Sequence, residues 1–439
     1  MRRRIVVPVV ALLGLVLSAM TTPALGGGDD HHDKETVAIA ASADRLMHRQ
    51  RADIVRGIDA VARRAQVPLS GQRCNKGHAG VFPCKNVDLK SYVPLANMSA
   101  LSGNDIWGWT DGKANRRYAL VGLNNGTGFV DVTRPAKPRY LGKLPTQTED
   151  SIWRDIKIYR HYAFVVSEAA NHGMQVFDLR RLRGVDRPET FTSDAYYGEF
   201  THAHNIAVNE KSGYAYVLGS DTCKGGLHMV DIRRPLFPTF AGCYSGDGYT
   251  HDVQVVNYRG PDARYTGHEI AFAANEDTLT IVDVTNKKKP RLLSRTGYRG
   301  AAYTHQGWLT NSQRYFVLGD EVDELATGHN TRTYVFDVGN LVNPSQPSRY
   351  TADTAAIDHN LFIRGKYVYQ ANYRAGFRLL EARDFGNADF RVAGYFDIYP
   401  TDDRPEFNGA WGVYPLFRDR HLVLINGIEQ GLFVLRTRV

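Results

Sequence analysis

Two textures divide the chain. Between residues 36 and 65 the apolar side chains Leu46, Met47, Ile54, Ile58 and Val61 fall at helical spacing among Asp44, Arg45, Arg49, Arg51 and Arg63. One apolar face at that period predicts a helical arm laid against the rest of the protein. After residue 90 the pattern changes to short aromatic and β-branched runs separated by Gly, Asn and Asp, the signature of strands and turns.

A single element recurs within the strand-rich region. It reads Gly128-Phe129-Val130-Asp131-Val132, Gln175-Val176-Phe177-Asp178-Leu179, His228-Met229-Val230-Asp231-Ile232, Thr280-Ile281-Val282-Asp283-Val284 and Tyr334-Val335-Phe336-Asp337-Val338. Weaker copies stand at Arg378-Leu379-Leu380-Glu381 and Phe433-Val434-Leu435-Arg436. From Asp131 to Glu381 the steps are 47, 53, 52, 54 and 44 residues, the period of a four-stranded propeller blade. Seven innermost strands align, starting near Ile106, Arg154, His204, His251, His305, His359 and Ala410. The fold class expected is all-β, a seven-bladed β-propeller with an N-terminal helical arm. The chain ends on the third strand of the seventh blade, so residues 91–97 are expected to supply the fourth and hide an open sheet edge. The repeated Asp is expected to bond turn amides rather than a ligand.

Length alone, at roughly 150 residues per domain, suggests about three domains. The repeat replaces them with one ring. Arg2, Arg3 and Arg4, the apolar run from Ile5 to Met20 and the small residues around Ala24 have the layout of a secretion signal. The boundaries expected are therefore 1–24 signal peptide, 25–73 arm and linker, and 74–439 propeller. Removing the signal lowers the formal charge of +8 by its three arginines, leaving a diffuse excess that argues against nucleic acid as a partner. With no membrane span in the mature chain and no C-terminal anchor, a secreted protein is expected. Export makes the four cysteines readable as two local disulfides, Cys74 with Cys84 and Cys223 with Cys243.

Several motifs carry a family resemblance. Cys84-Lys85-Asn86-Val87-Asp88-Leu89, Asn104-Asp105-Ile106-Trp107-Gly108-Trp109, Tyr118-Ala119-Leu120-Val121-Gly122-Leu123, Trp153-Arg154-Asp155-Ile156-Lys157 and His172-Gly173-Met174-Gln175-Val176-Phe177-Asp178 resemble the choice-of-anchor B family. The aliphatic-Asp element is similar to its LVIVD repeats. The resemblance runs from about Cys74 to the C-terminus and implies a secreted or surface-displayed propeller, tethered in different members by different C-terminal anchors. It supplies architecture and no biochemical activity.

Candidate chemistry lies in the aligned starts of the innermost strands: His202-Ala203-His204-Asn205, Thr250-His251-Asp252, Thr304-His305-Gln306 and Asp358-His359-Asn360. Antiparallel pairing puts the start of a first strand beside the end of the second, so Glu168, Asp221, Glu276, Asp320, Glu321 and Glu429 should share that face with the imidazoles. His204, His251, His305 and His359 are the candidate ligands for one divalent metal ion, since neutral imidazole suits zinc, copper, iron or nickel. Asn205, Asp155, Gln306, Asn360, Glu168, Glu276 and Glu321 are the candidate ligand-binding residues around them. Asp252 and Asp358 are candidate bases or orienting partners, and Arg154 a candidate for stabilising an anionic group. Trp107 and Trp411 are expected to pack between blades. Two functions fit this pattern. One is a secreted propeller that recognises an extracellular small molecule or protein; the other is a metal-dependent extracellular hydrolase or oxidoreductase using the same histidines.

Overall fold

Strands with apolar side chains on both faces require a sheet covered on both sides. Tyr162–Ser167, Glu269–Asn275 and Leu422–Gly427 are buried at every position. Stacking blade against blade supplies that cover. The computed structural model describes residues 68–439 together with Arg49, Gln50, Ala52 and Arg56. The segment 1–24 and, apart from those four residues, the helix expected over 36–65 lie outside the described residues.

Seven sheets, antiparallel except where the edge strand Glu189–Thr190 runs parallel to Arg139–Pro145 in blade 1, form a seven-bladed propeller. The innermost strands are Gly103–Asp111, Arg154–Tyr159, Asn205–Asn209, Asp252–Asn257, Thr304–Leu309, Asn360–Arg364 and Ala410–Tyr414. The first begins earlier than Ile106 because an irregularity between Gly103 and Ile106 lets the ladder continue past it. Neighbouring blades meet through stacked rings, such as Phe129 on Phe177 at 4.8 Å and Phe272 on Phe316 at 5.7 Å. Offset aromatic pairs of this kind contribute beyond their buried area.

Blade 7 takes its fourth strand from before blade 1. Val87–Pro94 pairs antiparallel with Gly431–Thr437, from Thr437 opposite Val87 to Gly431 opposite Pro94. The closing strand expected at 91–97 therefore lies further back. Leu95–Met98 coils into a 3-10 turn ending on Ser99 at a φ of 51°, because the chain must swing there from the rim of blade 7 to the axis of blade 1. The sheet also reaches further than expected: Leu69–Gln72 adds a fifth strand on Val87–Pro94, while Phe82–Lys85 pairs with the outer strand of blade 6. One N-terminal segment thus laces two blades, and the Cys74–Cys84 disulfide closes it. The second disulfide, Cys223–Cys243, ties a loop of blade 3 to its outer strand. Among the described residues no helix is long and apolar enough to cross a membrane.

The repeated aspartate does bond a turn amide. Oδ1 of Asp131, Asp178, Asp231, Asp283 and Asp337 accepts from the main-chain N–H two residues on, at 2.8–3.0 Å. A nearby basic side chain closes each pair, as Arg314 does on Asp337 at 3.0 Å. Asp231→Ala is expected to cost about 1 kcal/mol, the worth of one amide bond plus an exposed ion pair. An unchanged urea midpoint in that variant would mean that the turn forms without the carboxylate.

Candidate functional site

At the face where the innermost strands begin, four imidazoles form a contiguous arc. Ring centroids are 4.4 Å apart from His204 to His251, 4.0 Å from His251 to His305 and 4.4 Å from His305 to His359. They close one end of a channel cavity of about 340 Å³. Each comes from the start of a different blade, so the propeller symmetry assembles what the chain separates by about fifty residues. Gly219, at a φ of 58°, lets the turn of blade 3 pass close by: an added Cβ would lie 2.7 Å from His204 Cβ and 2.6 Å from the Tyr249 hydroxyl.

Hydrogen bonds set the ring tautomers. His251 Nδ1 lies 3.0 Å from the main-chain oxygen of His305, and His359 Nδ1 lies 2.5 Å from that of Trp411. A carbonyl only accepts, so both Nδ1 atoms carry the proton and both Nε2 atoms keep a lone pair. His305 Nδ1 is without a hydrogen-bond partner among the described residues. Glu321, at the end of the second strand of blade 5, faces the arc. Its Oε2 is 3.6 Å from His305 Nε2 and its Oε1 is 3.6 Å from His359 Nε2. His251, His305 and Glu321 present ligand atoms within 4.8 Å of one another, a group that could hold a metal ion.

Burial is the main electrostatic influence. It drives His251 and His305 well below the ordinary imidazole value, with neighbouring imidazoles adding to the effect, and takes His359 down to about 3. These rings are neutral at neutral pH, the form that binds metals. His204 behaves differently. Burial opposes its charge, but the Glu168 carboxylate bonded to its Nδ1 raises it. Burial pushes Glu321 up to about 7, although Tyr373 donates to it at 2.5 Å.

The remaining candidates separate into three groups. Asp155 and Asp252 line the cavity below the arc, together with Asp105 and Lys157. Lys157 pairs with Asp155 and, at 3.3 Å, with Asp105, and lies 4.7 Å over the Trp107 ring. Burial takes Asp252 up to about 7 against the pull of Lys157. Asn205, Gln306 and Asn360 also border the cavity, but their amides donate to main-chain oxygens of the next blade at 2.8, 3.0 and 3.3 Å. They stitch blade to blade. Arg154 and Asp358 do not line the cavity. Arg154 is enclosed between blades 1 and 2, donating to Leu123 O and Thr146 Oγ1 and lying 3.0 Å from His172 Nε2. Asp358 is buried among the acids Asp320, Asp323 and Glu321. Glu276 stands outside the cavity lining, where its charge acts on Tyr249 and Tyr303. Of the two tryptophans, Trp107 packs on Tyr414 and Phe362 while also lining the cavity, and Trp411 packs on His359 at 5.0 Å.

Tyr249, Tyr303, Tyr373, Lys157 and Gln50 complete the surroundings of the arc and are missing from the sequence-based set. Two of them had a signal: Tyr249-Thr250-His251 and Tyr303-Thr304-His305 repeat one triplet. Gln50 had none. Its side chain is 4% exposed and donates to the Tyr373 hydroxyl at 3.0 Å and to Glu321 Oε1 at 3.4 Å.

No protein-family model matches the chain, and no curated protein does. Solved structures similar to it include the Cps50 (Swd1) β-propeller domain of Myceliophteria thermophila, 14% identical over 76% of this chain and 97% of that one, with a TM-score of 0.45. A protein from Lactobacillus plantarum is 13% identical over 74% of this chain and 88% of that one, with a TM-score of 0.48. A hypothetical selenium-binding protein from Sulfolobus tokodaii is 11% identical over 69% of this chain and 86% of that one, with a TM-score of 0.45. From its own sheets and side chains, the chain is a seven-bladed β-propeller with residue groups that could hold a metal ion.

Proposed function

We propose that the protein is a secreted propeller of the choice-of-anchor B type that binds a divalent transition metal at the mouth of its channel and, through it, a small extracellular ligand. One observation carries the reading: the protonated Nδ1 of His359 leaves an Nε2 lone pair facing a Glu321 oxygen at 3.6 Å. That oxygen already accepts from Tyr373 and Gln50, so the His359 lone pair is left free, and a proton on Glu321 or a cation shared with His251 and His305 would satisfy it. The surrounding nitrogen donors favour zinc, copper, iron or nickel over calcium or magnesium. His251, His305, His359 and Glu321 would hold the ion, and His204, bonded to Glu168, would border it. The cavity beyond the arc offers room for a ligand, with Lys157 and its three carboxylates on the wall. The secretion-type N-terminus and two disulfides support export.

Elemental analysis of full-length protein purified without chelator tests this. About one transition metal per chain is expected, falling to background in His251→Ala/His305→Ala while the far-ultraviolet circular dichroism of the folded chain is retained. Absence of stoichiometric metal, with no uptake on dialysis against Zn²⁺ or Cu²⁺, would remove the reading.

Asp252 favours a second reading. A carboxyl taken to about 7 in the same cavity suits a general base. Metal-dependent hydrolysis that is lost in Asp252→Asn while metal content holds would establish catalysis. Full turnover in that variant would dismiss Asp252 as the base.

A further inference from the structure

Between blades 5 and 6 lies a second group of acids that the channel chemistry does not use. Asp323 and Glu324 open the short helix Asp323–Thr327 after the second strand of blade 5, and Asp358 stands two residues before the innermost strand of blade 6. Their ligand oxygens lie within 4.8 Å of one another. Asp323 is 0% exposed, and Glu324 and Asp358 are each 1% exposed. Acids are almost never this buried unless they are paired.

Here side-chain pairing is nearly absent. Tyr334 donates to Asp323 Oδ2 at 2.7 Å. Among the described residues, Asp323 Oδ1 and both carboxyl oxygens of Glu324 and of Asp358 have no hydrogen-bond partner at normal geometry, the nearest polar groups being the Asp320 amide beside Asp358 and the Asp323 and Glu324 carboxyls beside each other. The neighbouring Asp320 shows what a satisfied buried acid looks like in the same loop: it accepts from the Tyr298 hydroxyl at 2.7 Å and from the amides of Ala302 and Tyr303 at 2.9 and 2.7 Å. A neutral imidazole, whose pKa burial lowers, and one arginine reach only one edge of the cluster. His329 Nε2 is 3.5 Å from Asp323 Oδ2, and the Arg332 charge acts on the same carboxyl. Burial is the largest influence on Glu324 and Asp358, and neighbouring acids add to it, raising both well above the ordinary carboxyl value. Gly319 makes room for the arrangement, since a Cβ there would collide with Asp358 Oδ2.

We propose that Asp323, Glu324 and Asp358 form a site for a hard divalent cation, Ca²⁺, which clamps the loop after Glu321 to the start of blade 6. An all-oxygen donor set prefers hard cations, and Ca²⁺ accepts six to eight oxygens in irregular geometry whereas Mg²⁺ demands a near-ideal octahedron. Unpartnered oxygens on three side chains supply much of that shell. The clamp would hold Glu321 and His359, which flank it in the chain, but it rests on its own residues and needs nothing from the imidazole centre.

The experiment is a thermal melt of the full chain after chelation, with CaCl₂ added back. Millimolar Ca²⁺ is expected to raise the wild-type midpoint by about 5 °C, as a ligand far above its dissociation constant does. The rise should vanish in Glu324→Gln/Asp358→Asn, whose calcium-free midpoint should match or exceed that of wild type because like charge has been removed. It should persist in His251→Ala/His305→Ala, which separates this site from the channel metal. An unmoved wild-type midpoint, a rise that survives loss of both acids, or one that disappears with the histidines would each overturn the proposal. Should the acid variant not fold, calorimetric titration of CaCl₂ into chelated, Zn²⁺-saturated wild type decides. One saturable site supports the proposal, and no heat of binding overturns it.

Discussion

A chain lacking residues 1–98 is expected not to fold at 25 °C, whereas one lacking only residues 1–66 is expected to melt where the full chain does. The longer deletion takes away Val87–Pro94, the fourth strand of blade 7, whose Val87 and Leu89 are 0% exposed and whose Tyr92 and Val93 are 5% and 8% exposed. Burying such side chains contributes about 1.5–3 kcal/mol each. Four of them together match the whole stability of an ordinary protein, about 5–15 kcal/mol. The loss also bares the ladder of Gly431–Thr437, an open edge prone to aggregation. It removes the tie that Phe82–Lys85 makes to blade 6 as well. The shorter deletion leaves all of these in place and removes, with the contacts of Arg49 and Arg56, the two hydrogen bonds of Gln50. Far-ultraviolet circular dichroism through a thermal ramp measures both chains. Coincident melts would show that the ring is closed by packing between blades alone.

Arg154→Ala is expected to lose about 3 kcal/mol of stability or more while the channel still takes up metal. The side chain is 2% exposed, and its removal takes a donor from Leu123 O, half-buried Thr146 Oγ1 and buried His172 Nε2. Each buried acceptor left unsatisfied costs about 1–3 kcal/mol. His172 cannot compensate by protonating. Its Nδ1 faces Gly173 O at 3.0 Å, and burial, the larger of the two influences that lower its pKa in the wild type, remains when the Arg154 charge is removed. The large volume lost between blades 1 and 2 adds a cavity. Urea unfolding reads the stability, and zinc titration of the folded variant reads the channel. A variant as stable as wild type that fails to bind would return Arg154 to the site chemistry.

Arg154 and Asp358 show where a one-dimensional alignment of blades stops being informative. Both sit in or beside the column that carries the histidines, and both turn away from the channel. Asp358, one residue before His359, faces the acids between blades 5 and 6, and Arg154, at the column position of blade 2, reaches back to blade 1. Asp252 and Asn360, one residue after their histidines, still line the cavity, so position in the column does not fix direction. The cluster of Asp323, Glu324 and Asp358 was illegible for another reason. Its members come from two blades and belong to no repeat, and their lack of partners is a property of packing that no spacing encodes.

Residues close in sequence determined the blades. Apolar runs at strand period, Asp at the turn after each third strand, and a step of about fifty residues are all local signals, and a propeller is built almost wholly from local pairings. The two disulfides follow the same rule, each closing a short loop. The column of histidines was visible because the ring repeats one position seven times. The extent of the closing strand, which runs back to Val87 and stops at Pro94, the direction in which each column residue points, the tautomers set by carbonyls of the next blade and the approach of Gln50 were decided only in three dimensions. Each depends on which atoms of distant segments come within hydrogen-bond reach, and that distance is fixed by how seven separately legible sheets pack around one axis.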